Sequence, residues 1–261
     1  MYRFAQNYPQ LINEATLARF SAIELTAIQR AFVMAQSMSH GFYRASGIPL
    51  LNHLVSTASI VLADTQGQTP VLLALLHAAY VLHRFDNSTV SPNLAKRRKD
   101  IRREFGPYIE NQLWNYQNML WYQNSAVQDY LRRSKELDED TRLLLTVRLA
   151  NELDDHLDDA MSLTDLKHVD RTTSDFLDSC RLLAIELNLP VIASELETLI
   201  KAQAERATSV DAPARPGWNR VEGYEFHHPI WRMSALEKVK YSLLKLKVRL
   251  RRRLARLLQD K

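Results

Sequence analysis

Apolar residues recur every three or four positions along most of the chain, and the strict alternation of a half-buried strand is scarce. This pattern predicts helices near 21–39, 49–64, 68–85, 91–104, 107–123, 125–135, 139–161, 173–188 and 190–207. Several boundaries have local causes. Thr69-Pro70 and Ser91-Pro92 put proline in a first helical turn, where its missing N–H is no loss. Gly106-Pro107 separates two helices, and Asn188 with Pro190 closes another. Residues 208–230 lose the periodicity and gather Pro and Gly, so they read as a linker. The periodicity resumes in 231–261: Leu236, Val239, Leu243, Leu246, Leu250, Leu254 and Leu257 form an apolar stripe among lysines and arginines. The expected organisation is an all-α helical domain over 1–207, a linker over 208–230 and a basic amphipathic tail helix over 231–261.

Charge sharpens that division. Of 34 bases and 30 acids, eleven bases and two acids fall in 230–261, leaving 23 bases and 28 acids elsewhere. An acidic body thus carries a strongly basic tail. A tail of this kind fits an anionic membrane interface or a protein partner, and it also fits docking on its own body. Only 6 Gly and 9 Pro favour long helices, and a lone Cys180 rules out an intramolecular disulfide framework. With no secretory-type leader and no run of about 18 apolar residues, the expected location is cytoplasmic, at most peripheral at the inner membrane surface.

Candidate chemistry gathers in three segments: 40–54 with His40, Arg44, Ser46, Gly47, Pro49 and His53; 73–85 with Leu75, Leu76 and His77; and 147–159 with Arg148, Leu149, Ala150 and Asn151. Their order and spacing resemble the HD superfamily, and within it the hydrolase domain of RelA/SpoT-type alarmone enzymes, over roughly residues 25–160. The resemblance implies an HD-like helical bundle in which His53 and His77 face one another across a pocket. It departs where the metal chemistry sits. Ala78 stands in place of the paired Asp, Asn151 in place of the later Asp, and Val81 and Leu82 in place of an acidic pair. An HD site holds its cation with two His and two Asp, so this ligand set has lost both anions. Without the metal no low-pKa water forms to attack phosphorus. A closer likeness is to an uncharacterised HD-like group with His-Ser-x-Tyr-Gly and Leu-Ala-Asn-Glu, matched by His77 through Tyr80 and by Leu149 through Glu152.

The leading expectation is a catalytically degenerate HD protein, a pseudoenzyme serving as an interaction or small-ligand-binding module. Its ligand-binding residues are then His40, Arg44, Ser46, Tyr80 and Asn151, and no cofactor is expected. A nucleotide is one ligand class, because the family's counterpart of Arg44 lies against guanine and a guanidinium can stack on a base. Arg44 also reads as a loop arginine paired with an acid. The enzyme alternative is a metal-dependent phosphohydrolase or oxygenase with a rearranged site of His53, His77 and Asp154 holding Mn, Fe or Zn. Asp154 and Asp155 share a helical face with Asn151, although such an acidic run more often lies in solvent. The aromatic set Trp114, Tyr116, Trp121 and Tyr122 and the basic stretch 95–105 read as helix packing and a solvated face, with no specific nucleic-acid motif.

Overall fold

A computed structural model describes residues 3–44, 46–80, 94–121, 123–157 and 173–208. The expected linker beyond residue 208, the tail, Val81, Leu82 and Tyr122 lie outside the described residues. Within them the chain is all-α, with no strand: α1 (Tyr8–Leu17), α2 (Ala22–Ser39), α3 (Leu50–Asp64), α4 (Gln68–Leu76), α5 (Leu94–Asn118), α6 (Asn124–Arg132), α7 (Glu139–Leu157), α8 (Ser174–Glu186) and α9 (Pro190–Thr208).

Two helices form the centre. α3 is buried almost all round, from His53 through Leu62, and packs on α4 and α7. α7 is buried continuously from Leu144 to His156. A helix with no polar face must be enclosed by others, and here α1, α2 and α9 wrap α3 while α5, α8 and α9 meet α7. The buried stretch of α7 includes Arg148, Asn151, Glu152, Asp154, Asp155 and His156. Such groups need partners inside the protein, since each loses its water.

The ends follow local chemistry. Ser21 and Glu24 form a reciprocal capping box at the start of α2, with Ser21 N–H donating to Glu24 Oε2 at 2.8 Å and Glu24 N–H to Ser21 Oγ at 3.3 Å. α1 was absent from the periodic pattern. It starts at an Asn7 cap with Pro9 in the first turn, and only Leu11 and Ala15 are fully buried, too narrow a stripe to read by period. The Asp64 carboxylate, at the end of α3, accepts from the Val191 and Ile192 N–H groups at 2.8 Å each and so caps α9 from a distance.

Some expected boundaries move. The helix expected over 68–85 ends at Leu76, with His77 as its cap and turns through Tyr80. The reason is visible: His77 Nδ1 lies 2.7 Å from the Ala74 carbonyl, competing for the acceptor that the Ala78 N–H would use in a continuing helix. The helices expected at 91–104 and 107–123 run from Leu94 to Asn118 as two pieces joined at Gly106, whose φ of 86° is the left-handed region that favours glycine.

The basic stretch 95–105 is not simply a solvated face. Arg97 is buried and donates to the Ala79 carbonyl at 2.6 Å. Arg98 and Arg102 both grip the buried Glu110 across the Gly106 kink. The aromatics pack as expected: Tyr116 lies under Arg148 with 3.8 Å from guanidinium to ring centre, and Trp121 donates to Glu152 at 2.9 Å.

Candidate functional site

The loop joining α2 to α3 folds back on itself. Tyr43 and Pro49 form an isolated bridge, Arg44 N–H donates to Ile48 O at 2.8 Å, and Gly47 N–H donates to Arg44 O at 2.9 Å. Gly47 has φ of 83° with open space where a Cβ would stand, so its requirement is conformational rather than steric. This turn drives the Arg44 side chain into the protein, where it is 1% exposed.

There Arg44 meets α3 and α7. Its Nη1 donates to Asp154 Oδ2 at 2.6 Å and its Nη2 to Asp155 Oδ1 at 2.7 Å. His53 Nδ1 reaches the same Asp154 oxygen at 2.6 Å and lies 2.6 Å from Arg44 Nη1. On its other edge, His53 Nε2 is 3.2 Å from His77 Nε2 and 3.2 Å from Asn151 Oδ1. Asn151 Nδ2 in turn donates to Asp155 Oδ2 at 3.3 Å, which fixes the amide with its oxygen toward His53. The side chains close a ring: Arg44, Asp154, His53, Asn151, Asp155 and back to Arg44.

Hydrogen-bond complementarity assigns the His77 proton. The Ala74 carbonyl only accepts, so His77 carries its proton on Nδ1 and presents a lone pair at Nε2. Burial, then the neighbouring His53 charge, pull the His77 pKa down to about 3. Burial works to raise the Asp154 pKa, but the hydrogen bond from His53, the charges of His53 and Arg44 and the Ser56 hydroxyl outweigh it and hold the group below its ordinary value. Asp154 is therefore an acceptor, with Arg44 Nη1 and His53 Nδ1 both at 2.6 Å from its Oδ2. Asn151 Oδ1 and the His77 Nε2 lone pair both face His53 Nε2 as acceptors.

A cavity of about 260 Å³ opens onto this ring. Arg44, His53, Asp154 and Ser56 form its polar floor, Phe4, Ile48 and Leu157 its apolar walls, and the Arg3–Glu195 ion pair part of its lining. Residues 3–6 are held over it by the Ala5 N–H, which donates to Ser59 Oγ at 2.9 Å.

The residues singled out from sequence separate into three places. Arg44, His53, Asn151 and Asp154 come together in the ring, with His77 against the Nε2 edge of His53. Tyr80 belongs to a neighbouring cluster, its hydroxyl donating to Glu110 at 3.1 Å and its ring edge-on to Trp114. His40 is exposed at the end of α2, and Ser46 is half-buried in the turn after Arg44. Asp154 and Asp155 are buried ring members, correcting the reading of that acidic run as a solvated face. Asp154 and His77 also lie at opposite edges of His53, so one ion at either edge is not shared by both. Arg3, Phe4, Ser56 and Glu195 were not anticipated. Only Ser56 had a signal, three residues after His53 on one helical face.

The metal implied by the HD likeness does not fit these residues. Ala78 has no ligand atom, Asn151 offers a neutral oxygen, and the nearby carboxylates are turned toward Arg44. Among the described residues, no group of three or more His, Cys, Asp or Glu is arranged to hold a metal ion. Fold and site together define an all-α bundle, among the described residues, with a buried ring of hydrogen-bonded Arg, Asp, His and Asn side chains at the foot of a small cavity. No protein-family model matches the chain, and no curated protein matches it. No described helix is long and apolar enough to cross a membrane.

Proposed function

We propose that this protein is an HD-like scaffold without the hydrolase's metal chemistry, working as a binding module for a small polar ligand. The observation that carries the reading is the cavity that reaches the Arg44–His53–Asp154 group from outside. Its floor offers donors and acceptors already fixed by mutual hydrogen bonds, the preorganised polar patch within apolar walls that small-molecule sites use. At about 260 Å³ it is slightly below the roughly 300–1,000 Å³ of drug-sized pockets, which favours a metabolite up to nucleoside size over a polyphosphorylated nucleotide. Arg44 has both terminal nitrogens committed to aspartates, so stacking on a guanine base would require it to leave them. Residues 231–261 are proposed to hold the module at an anionic membrane surface through their basic amphipathic pattern.

Thermal-shift measurements with small polar metabolites, guanosine and GMP among them, test the ligand reading. At least one compound is expected to raise the melting midpoint of the full chain. That rise should vanish in Ile48→Trp, which narrows the cavity from its half-exposed wall. If no compound stabilises the protein, or if the tryptophan variant responds equally, the cavity is not a ligand site.

A further inference from the structure

Residues 3–6 cover the cavity without belonging to any helix. Arg3, Phe4 and Gln6 line it from their side, while the floor residues Arg44, His53, Ser56 and Asp154 are each at most 5% exposed. A floor so enclosed needs part of its cover to move before a ligand can touch it. The other walls belong to the bundle: Leu157 ends α7, Glu195 stands on α9, and Ile48 is held in the Arg44 turn by its carbonyl. We infer that residues 3–6 are a strap hinged at Gln6 and latched by the Arg3–Glu195 ion pair, whose release opens the way for a small polar ligand to the floor.

The contacts divide the segment into a fixed end and a loose one. Gln6 N–H donates to Gln10 Oε1 at 2.8 Å and the Gln6 carbonyl accepts from Asn52 Nδ2 at 3.0 Å, which ties this end to α1 and α3. In the middle, Ala5 N–H donates to Ser59 Oγ, and Ser59 Oγ donates to Glu14 Oε2 at 2.6 Å. Every one of these bonds uses a side chain. No backbone–backbone hydrogen bond joins 3–6 to the other described residues, as pairing in a sheet or helix would. At the loose end the Arg3 side chain is 60% exposed and that of Glu195 12%. Water and salt reach the cation, so the pair closes the strap weakly and can be undone without disturbing the bundle. Phe4 is buried and is uncovered when the strap lifts, an apolar cost that keeps the closed state dominant. The occupant rests on the binding role proposed above; the opening itself is measured with no ligand present.

The test places a thiol on the floor, Ser56→Cys in the full chain, and follows its reaction with methyl methanethiosulfonate, a small neutral reagent, by mass spectrometry. Cys180 is fully buried, and the chain without the new thiol supplies the background. Labelling is expected to be slower than for a free thiol. It should quicken by roughly two- to fivefold when Glu195→Gln or Arg3→Ala is added, the range of a weak exposed ion pair. The two latch variants change the local charge in opposite directions, so an effect of charge on the thiol alone speeds one and slows the other. Added salt should speed the parent and leave both latch variants nearly unchanged. In the chain with Ser56 intact, the Ala5 amide should exchange faster in Glu195→Gln by a similar factor, which serves equally if Ser56→Cys does not fold. Labelling at the free-thiol rate, equal rates with and without the latch, or opening that tracks urea-measured global unfolding overturns the strap. Such a result leaves the thermal-shift test of ligand binding standing, and a cavity that takes no compound leaves the labelling rates as they are.

Discussion

His77 is a histidine kept neutral by its surroundings. Its Nδ1 proton serves the Ala74 carbonyl, and full burial denies a second proton the water that would stabilise its charge. The linkage follows in sign. In the unfolded chain an ordinary histidine takes a proton below about pH 6.5, whereas the folded group resists it down to about 3. Across that window the unfolded state binds more protons, so stability falls as pH drops, by up to about 1.4 kcal/mol per pH unit from this one residue. His77→Asn, which keeps a donor for Ala74, is expected to flatten the slope of unfolding free energy between pH 6 and 4.5 in urea titrations. Asp154 acts lower: its depressed pKa contributes stability above the ordinary carboxylate range, lost as pH falls through the folded value. An unchanged slope in the asparagine variant would show that other groups carry the acid sensitivity. Burial of Asp154 and Asp155 was not legible from their own neighbourhood, because an acidic run looks the same whether it faces water or an arginine. The arginine that decides the matter is 110 residues away in the chain.

At the scale of elements, α5 shows how a charged helix becomes part of the packing. Gly106 turns the chain, and Glu110, one turn beyond, receives Arg98, Arg102 and the Tyr80 hydroxyl. Burial alone would raise the Glu110 pKa, yet these three donors hold it below its ordinary value. Arg98 also lies over the Trp114 ring at 4.5 Å, so the clasp joins both halves of α5. Glu110→Gln is expected to destabilise the protein by about 1–3 kcal/mol, at the lower end because Arg102 is 52% exposed and regains water when released. Hydrogen exchange should show faster opening of 94–105 with α3 and α7 unaffected. Uniform acceleration across all helices would mean that Glu110 supports the whole fold and not this clasp. The split of α5 was legible, since Gly-Pro carries its own backbone rule. The clasp was not, since lysines and arginines spaced along a helix give no sign of which ones turn inward. α1 escaped for the opposite reason: its two fully buried residues make too little pattern.

For the whole molecule, the division into an acidic body and a basic tail remains a statement about sequence, and it has a direct physical test. If residues 231–261 lie on anionic lipid, full-length protein should float with vesicles containing phosphatidylserine or phosphatidylglycerol and release as salt rises. A chain ending near Arg220 should stay behind with the unbound fraction. Equal flotation of the two would place any lipid contact on the body.

The wall of the cavity has one more consequence. Arg3 and Phe4 close it from one side and Glu195, on α9, from another, so the chamber exists only after α9 has met the beginning of the chain. During synthesis the ribosome releases these parts at very different times. A nascent chain therefore carries the Arg44 turn long before the chamber above it is closed. Under the binding role proposed above, an occupant stabilises only the folded body in which α9 already meets the first residues, and its abundance acts as a brake on unfolding of that state alone.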